Sequence, residues 1–185
     1  MYYVIYVNAR NESNAKDMIS RYIPDDLYSD CFYPVRLMKK KLRGKWTIVH
    51  ERLIPGYIFI DSDNVKSLYK ELRALPMFLR LLGKEESGEE IDIYPLPDEE
   101  VRWLRTLTGN QNKSSDDNRV VGLSQVGFDE NDKVIIKSGP LLGMQGQIKK
   151  INLHKRIAEV EVDFMNQKTI IHLGIEIIEK SEKEI

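Results

Sequence analysis

Clustered cations and scattered nucleophiles or carboxylates are the residues of this 185-residue chain whose types and spacing invite a chemical reading. The cations come in two groups. Residues 36–45 read RLMKKKLRGK, six bases without an acid, and residues 132–173 hold seven Lys/Arg against four Asp/Glu, a net of +3. Clustered Lys and Arg neutralise phosphates and release counterions, so both groups point toward nucleic acid although the whole chain carries a net −1. In the second group Lys137, Lys149, Lys150, His154, Lys155, Arg156 and Lys168 surround predicted loops. Arg156 and Gln167 are the candidates for reading base edges, because Arg offers a fixed donor fork and Gln both a donor and an acceptor. In the first group Lys39, Lys40, Lys41, Arg43 and Lys45 lie beside Trp46. They stand either as a solvated hairpin tip or as an additional nucleic-acid contact.

Catalytic and metal chemistry find less support. Cys31 is the single cysteine, and His50, His154 and His172 are scattered. No Cys/His group has metal-ligand spacing, and no nucleophile motif surrounds Cys31. Residues 85–100 hold eight acids and no base. General acid–base or metal chemistry there would need a partner base or a fixed Gly-turn loop, so the segment reads as a solvated acidic loop. No enzyme, metal or cofactor is expected. One cysteine forms no intramolecular disulfide, which suits a reducing cytoplasm. The longest apolar runs, such as residues 54–60, fall far short of the ~20 residues of a bilayer helix. Residues Met1-Tyr2-Tyr3-Val4-Ile5-Tyr6 show no basic n-region or cleavage site. A cytoplasmic monomer without membrane contact is the expectation. Hydrophobic residues at 42% and charged residues at 31% give an ordinary globular balance.

These residues must be positioned by two different kinds of structure. Residues 108–118 read TGNQNKSSDDN, with no apolar side chain, and mark a flexible joint. Before it, period and composition predict a strand over 2–7, a helix over 13–22, strands over 31–41, 46–53 and 57–60, a helix over 65–75, a strand over 78–82 and a helix over 98–107. Pro97 and the acids at 98–100 suit the start of that last helix. One sheet with helices packed on it, an α+β sandwich, is the expected architecture. After the joint, runs rich in Val and Ile over 133–137, 144–152, 157–164, 167–172 and 175–178 predict a small β-barrel. The predicted division is a domain over 1–107, a linker over 108–125 and a barrel over 126–180.

Asp132-Lys133-Val134-Ile135-Ile136-Lys137-Ser138-Gly139-Pro140-Leu141-Leu142-Gly143-Met144-Gln145-Gly146-Gln147-Ile148 closely resembles the KOW motif, which alone implies RNA or ribonucleoprotein contact. Leu53-Ile54-Pro55-Gly56-Tyr57-Ile58-Phe59-Ile60 resembles the Phe-Pro-Gly-Tyr strand of the NusG N-terminal (NGN) domain. Tyr3-Val4-Ile5-Tyr6-Val7 and Phe32-Tyr33-Pro34-Val35 are similar to that domain's first two strands, and Pro95-Leu96-Pro97-Asp98-Glu99-Glu100-Val101 to the start of its last helix. The resemblance to the NusG family covers nearly the whole chain in the right order. It implies an NGN domain that binds the clamp helices of bacterial RNA polymerase and favours processive elongation, and a KOW domain that recruits a second partner. On that resemblance Tyr6, Tyr57, Phe59, Trp103 and Leu107 form the polymerase-binding surface. Alternation along a strand places Tyr57 and Phe59 on one face and Ile58 and Ile60 on the other. Lys66-Ser67-Leu68-Tyr69 fall near where family members touch the opposite side of the cleft.

The chain departs from the general factor in its KOW loops. Leu141-Leu142-Gly143-Met144 and Phe164-Met165-Asn166-Gln167-Lys168 stand where the general factor has aromatic contacts to ribosomal protein and Rho. It looks more like a specialised paralog of the LoaP type, an antiterminator that reads a structured leader RNA hairpin, with upstream or non-template DNA as a further partner. A general elongation factor coupling polymerase to Rho or ribosome, and a ribosome-associated RNA-binding protein, stand as alternatives.

Overall fold

Five consecutive aromatic and β-branched residues, Tyr2–Tyr6, form strand β1, as their preference for a pleated, half-buried surface dictates. The computed structural model describes residues 1–87, 90–109 and 119–178, and the architecture is α+β. Among them two compact units separate. The first comprises Met1–Pro34, Ile54–Val101 and Arg119; the second comprises Val35–Leu53, 102–109 and 120–178.

In the first unit, β1 pairs antiparallel with β5 (Tyr57–Asp61), aligning Val4 with Phe59 and Tyr6 with Tyr57. Strand β2 (Asp30–Phe32) lies outside β5, and β6 (Arg80–Leu81) lies outside β1, so the sheet order is β2-β5-β1-β6. Both central strands bury three successive residues, which requires cover on both faces. Helix α1 (Glu12–Tyr22) buries Ala15 and Ile19 completely. Helix α2 (Val65–Ala74) is capped by Asn64, whose side chain accepts the Ser67 N–H at 3.3 Å, and buries Leu68 and Leu72. Strands β7 (Lys84–Ser87) and β8 (Glu90–Ile93) form a hairpin, and α3 (Asp98–Thr108) begins with three acids in its first turn.

The start of β5 is fixed by a buried carboxylate. Gly56 adopts φ +88°, a left-handed conformation that a side chain opposes. Its N–H donates to Oε1 of fully buried Glu12 at 2.7 Å, and its carbonyl accepts the Val7 N–H at 2.8 Å. Helix α1, β1 and β5 thus meet at one turn.

In the second unit, β3 (Val35–Leu42) and β4 (Lys45–Arg52) form a hairpin closed by Arg43 and Gly44, both at positive φ. That is the pairing a tight hairpin turn demands. The short strand β9 (Val120–Val121) runs parallel to β3. A five-stranded sheet follows, built from β10 (Ser124–Phe128), β11 (Val134–Ser138), β12 (Ile148–Asn152), β13 (Ile157–Phe164) and β14 (Gln167–Ile177), in the order β11-β10-β14-β13-β12. Strand β13 alternates Ala158, Val160, Val162 and Phe164 inward with acids outward. The sheet is a half-barrel. Its edges β11 and β12 are joined by a 3-10 segment, Pro140–Gln147, that buries Leu141 and Met144.

Several predicted elements differ in detail. The strand expected over 31–41 splits at Pro34, which has no N–H to give a ladder. The strand expected over 78–82 shrinks to two residues, and Phe78 is 63% exposed. The acidic loop contains the β7–β8 hairpin. Residues 140–147 are 3-10 turns, so the strand expected from 144 begins at Ile148. The runs 167–172 and 175–178 are one strand through Gly174, and β9 and β10 were not foreseen. Of the linker expected over 108–125, residues 110–118 lie outside the described residues.

Two stability outcomes follow from these turns. Glu12→Ala leaves the Gly56 N–H without this acceptor in a buried site, and a loss of about 1–3 kcal/mol is expected. At Gly174 a Cβ would overlap the Leu37 carbonyl of β3 and lie 3.1 Å from Met38 Cα; Gly174→Ala should therefore cost ~1–3 kcal/mol by overpacking. Urea midpoints of the full-length variants check both, and a midpoint equal to that of the parent contradicts the assignment.

Candidate functional site

Register sorts the hairpin side chains, because directly paired residues share a face. Pairs Leu37–His50, Lys39–Ile48 and Lys41–Trp46 occupy one face; Arg36–Glu51, Met38–Val49, Lys40–Thr47 and Leu42–Lys45 occupy the other. Trp46 is 40% exposed and Ile48 51% exposed. In the turn between β12 and β13, Asn152 Oδ1 accepts the Lys155 N–H at 2.9 Å, and Arg156 takes φ +59°. That turn carries the Arg156 guanidinium over Trp46, 5.2 Å from the ring centroid, within cation–π range. The two basic groups of the sequence, about 110 residues apart in the chain, meet here.

The hairpin is held to the sheet by β3. Arg36 Nη1 donates to the His172 carbonyl at 2.6 Å while Nη2 pairs with Glu51 at 3.2 Å. Lys39 pairs with Glu176, and Lys40 with Glu51. Hydrogen bonding from Lys40 and the nearby Lys40 and Arg36 charges hold the Glu51 carboxyl below the usual glutamate range, against the opposing effect of partial burial.

The expected RNA residues do not form one cluster. Lys150, His154 and Lys155 are exposed on or beside the Arg156 turn. Lys149 bridges to Glu161 at 3.1 Å. Gln167 and Lys168 lie beyond the other end of β13, about 23 Å away at ~3.3 Å per residue, and Lys168 bridges to Asp163 at 2.7 Å. Lys137 sits on β11, at the sheet edge opposite β12. Among the described residues Lys41, Arg43, Lys45, Lys150 and Lys155 make no ion pair, so their charge stays available.

The five expected polymerase residues also fall into different settings. Tyr6 and Tyr57 face each other at the end of the β1–β5 ladder, half-buried, with rings edge to face at 5.6 Å. Phe59 is wholly buried and stacked on Phe32 at 5.5 Å. The resemblance implied a binding-surface role for Phe59, but β5 is a central strand with both faces covered, so the ring belongs to the core. Trp103 is buried; its indole N–H donates to the Asp163 carbonyl at 2.7 Å and its ring meets Phe164 edge to face. Leu107 is buried as well.

Sequence reasoning missed the part of Arg119, which pairs with Asp30 and lies 3.8 Å from the Phe32 ring centroid. Its position at the edge of a polar segment gave no signal. Among the described residues no group of three or more His, Cys, Asp or Glu is placed to hold a metal ion, and no helix is long and apolar enough to cross a membrane. Cys31 is buried.

Residues 1–105 match the family model described as transcription termination factor nusG, and residues 130–163 match the KOW motif. The chain is 25% identical to the transcription termination/antitermination protein NusG of Borreliella burgdorferi over 189 residues, covering 97% of each. It is 23% identical to the protein of that name from Thermus thermophilus over 190 residues, covering 97% of this chain and 98% of the relative. A solved structure described as "Domain interaction in Thermotoga maritima NusG" superposes with a TM-score of 0.50 at 23% identity, covering 94% of this chain and 92% of the other. That likeness bears on the fold alone.

The depressed Glu51 carboxyl generates a prediction. A lowered folded-state value favours the folded state while the unfolded carboxylate is ionised, and that contribution disappears as pH falls through the folded value. Stability of the parent should therefore drop below about pH 4 more steeply than that of Glu51→Gln. Thermal unfolding across the acid range reads this; parallel acid limbs in the two proteins contradict it.

Proposed function

This chain belongs to the NusG family, and on that premise we propose that it is a non-enzymatic elongation factor that binds RNA polymerase and, as a specialised antiterminator of the LoaP type, a structured leader RNA hairpin. The single observation that carries the RNA reading is the Trp46–Arg156 stack, which gathers the free cations of the β3–β4 hairpin and of the β12–β13 turn at one place. A structured RNA is read largely by shape and backbone, with stacking on exposed aromatic or guanidinium planes, and this site offers both planes amid Lys41, Arg43, Lys45, Lys150 and Lys155. In functional terms residues 1–107 serve polymerase, 108–125 link, and 126–180 serve RNA, with the hairpin of residues 35–52 lent to the RNA site.

The Tyr6–Tyr57 edge is the proposed polymerase contact. Large aromatic side chains are good anchors because they bury much area at low entropic cost. Phe59 supports that edge from the core; Trp103 and Leu107, buried here, are assigned no contact. The departures in the KOW loops support the specialised reading over coupling to Rho or ribosome. Leu141 and Met144 fill the half-barrel interior, and Met165 and Asn166, both at positive φ, form the β13–β14 turn.

Transcription in vitro through a terminator placed downstream of the chain's own operon leader tests the proposal. Readthrough should rise with the native leader and stay at baseline with a scrambled hairpin. Arg156→Ala with Trp46→Ala should abolish the leader-dependent part, and Tyr57→Ala should lower it on both grounds of affinity and dwell. Equal readthrough on native and scrambled leaders would return the chain to a general elongation role.

A further inference from the structure

Each of the two turns that meet at the Trp46–Arg156 stack holds an arginine with left-handed backbone. Arg43 takes φ +49° between β3 and β4, and Arg156 takes φ +59° between β12 and β13. Glycine, asparagine and aspartate adopt that conformation readily, whereas a long side chain opposes it. Such a residue stays there only where its surroundings over-determine it, and such positions gather at functional sites. The bonds that hold Arg156 are therefore part of the site.

Strand β12 ends at Asn152, and β13 begins at Ile157, its partner across the ladder. Leu153-His154-Lys155-Arg156 form the loop between them. The Arg156 N–H donates to the Leu153 carbonyl at 3.3 Å, closing a turn whose central residues, His154 and Lys155, are exposed. The Arg156 carbonyl accepts the Ile175 N–H of β14 at 3.0 Å, so residue 156 is fixed on its C-terminal side as well. The third bond runs from the Lys155 N–H to Asn152 Oδ1 at 2.9 Å. It ties the last residue of β12 to the residue before Arg156 and sets the direction in which the chain enters position 156. Of the three bonds it alone comes from a side chain. Without that acceptor the Lys155 peptide can rotate, and position 156 can relax out of the left-handed region.

We propose that Asn152 is a positioning residue for Arg156: its side-chain oxygen holds the turn in the form that keeps Arg156 left-handed and the guanidinium over the Trp46 indole. Asparagine suits the task because its short side chain accepts from backbone N–H groups a few residues on. The consequence for RNA affinity rests on the RNA reading of the stack; the hold on the stack does not.

Acrylamide quenching of tryptophan fluorescence in the full chain, without RNA, tests the proposal. Trp46 is 40% exposed and the other tryptophan, Trp103, is 7% exposed, so the quenching reads Trp46. Asn152→Ala should raise it toward the level of Arg156→Ala, and should add nothing in an Arg156→Ala background. Asn152→Asp keeps the acceptor oxygen and should quench as the parent does. Arg156→Gly should have a higher urea midpoint than Arg156→Ala, because glycine takes the left-handed backbone without opposition. Leader-hairpin affinity should fall about fivefold in Asn152→Ala, the equilibrium effect of one ordinary hydrogen bond, and should not fall further when Asn152→Ala is added to Arg156→Ala. Parental quenching in Asn152→Ala overturns the proposal, and so do equal midpoints for the glycine and alanine variants. An affinity loss that persists in the Arg156→Ala background also overturns it, by making Asn152 a direct RNA contact. Raised quenching with parental leader affinity in both Asn152→Ala and Arg156→Ala upholds the positioning role and overturns the RNA reading instead.

Discussion

At Gly174 the backbone of β3 lies directly on β14, in a space that any Cβ would occupy. Arg36 then donates to the carbonyl of His172, two residues before, and Lys39 pairs with Glu176, two residues after. This seat decides where every cation of the β3–β4 hairpin goes. With β3 anchored, the register carries Lys41 and Trp46 to the turn between β12 and β13, where Arg156 reaches over the indole. A cation–π contact at an exposed site contributes only about 0.5–1 kcal/mol. Its importance is therefore positional: the backbone packing beneath it brings the two planes together.

The distribution of ion pairs sharpens the distinction between charges that hold structure and charges that are free to bind. Arg36, Lys39 and Lys40 are spent on carboxylates of the same unit, and Lys149 and Lys168 on the outward acids of β13. Surface pairs of that kind stabilise by roughly 0–1 kcal/mol, so a phosphate can displace the outermost of them at small cost. Lys41, Arg43, Lys45, Lys150 and Lys155 carry no such cost.

Much of the fold was legible because local pattern and tertiary role agree. Strand β13 alternates as a half-buried strand should, α2 and α3 show helical spacing, and the KOW residues mark the second unit. The failures came where tertiary context overrides local pattern. Periodicity cannot say that β5 is covered on both faces, so Phe59 was assigned to a surface and belongs to the core. Gly174 looked like a break between two strands because a glycine that permits close approach and one that ends a strand are the same residue in a sequence. The basic character of both RNA-candidate segments was plain. Their meeting was not, because the seating of β3 on β14 is a contact between residues roughly 135 positions apart, and it likewise splits Gln167 and Lys168 from the Arg156 turn.

The central claim is that Trp46 and Arg156 act as one site on RNA. A double-mutant cycle on leader-hairpin affinity, with Trp46→Ala, Arg156→Ala and the double variant, tests it most directly. The account predicts that the double variant loses little more than either single variant, leaving a coupling of about 0.5–3 kcal/mol, as for residues in contact. Losses that add independently, or single variants that bind the hairpin as tightly as the parent, would contradict it.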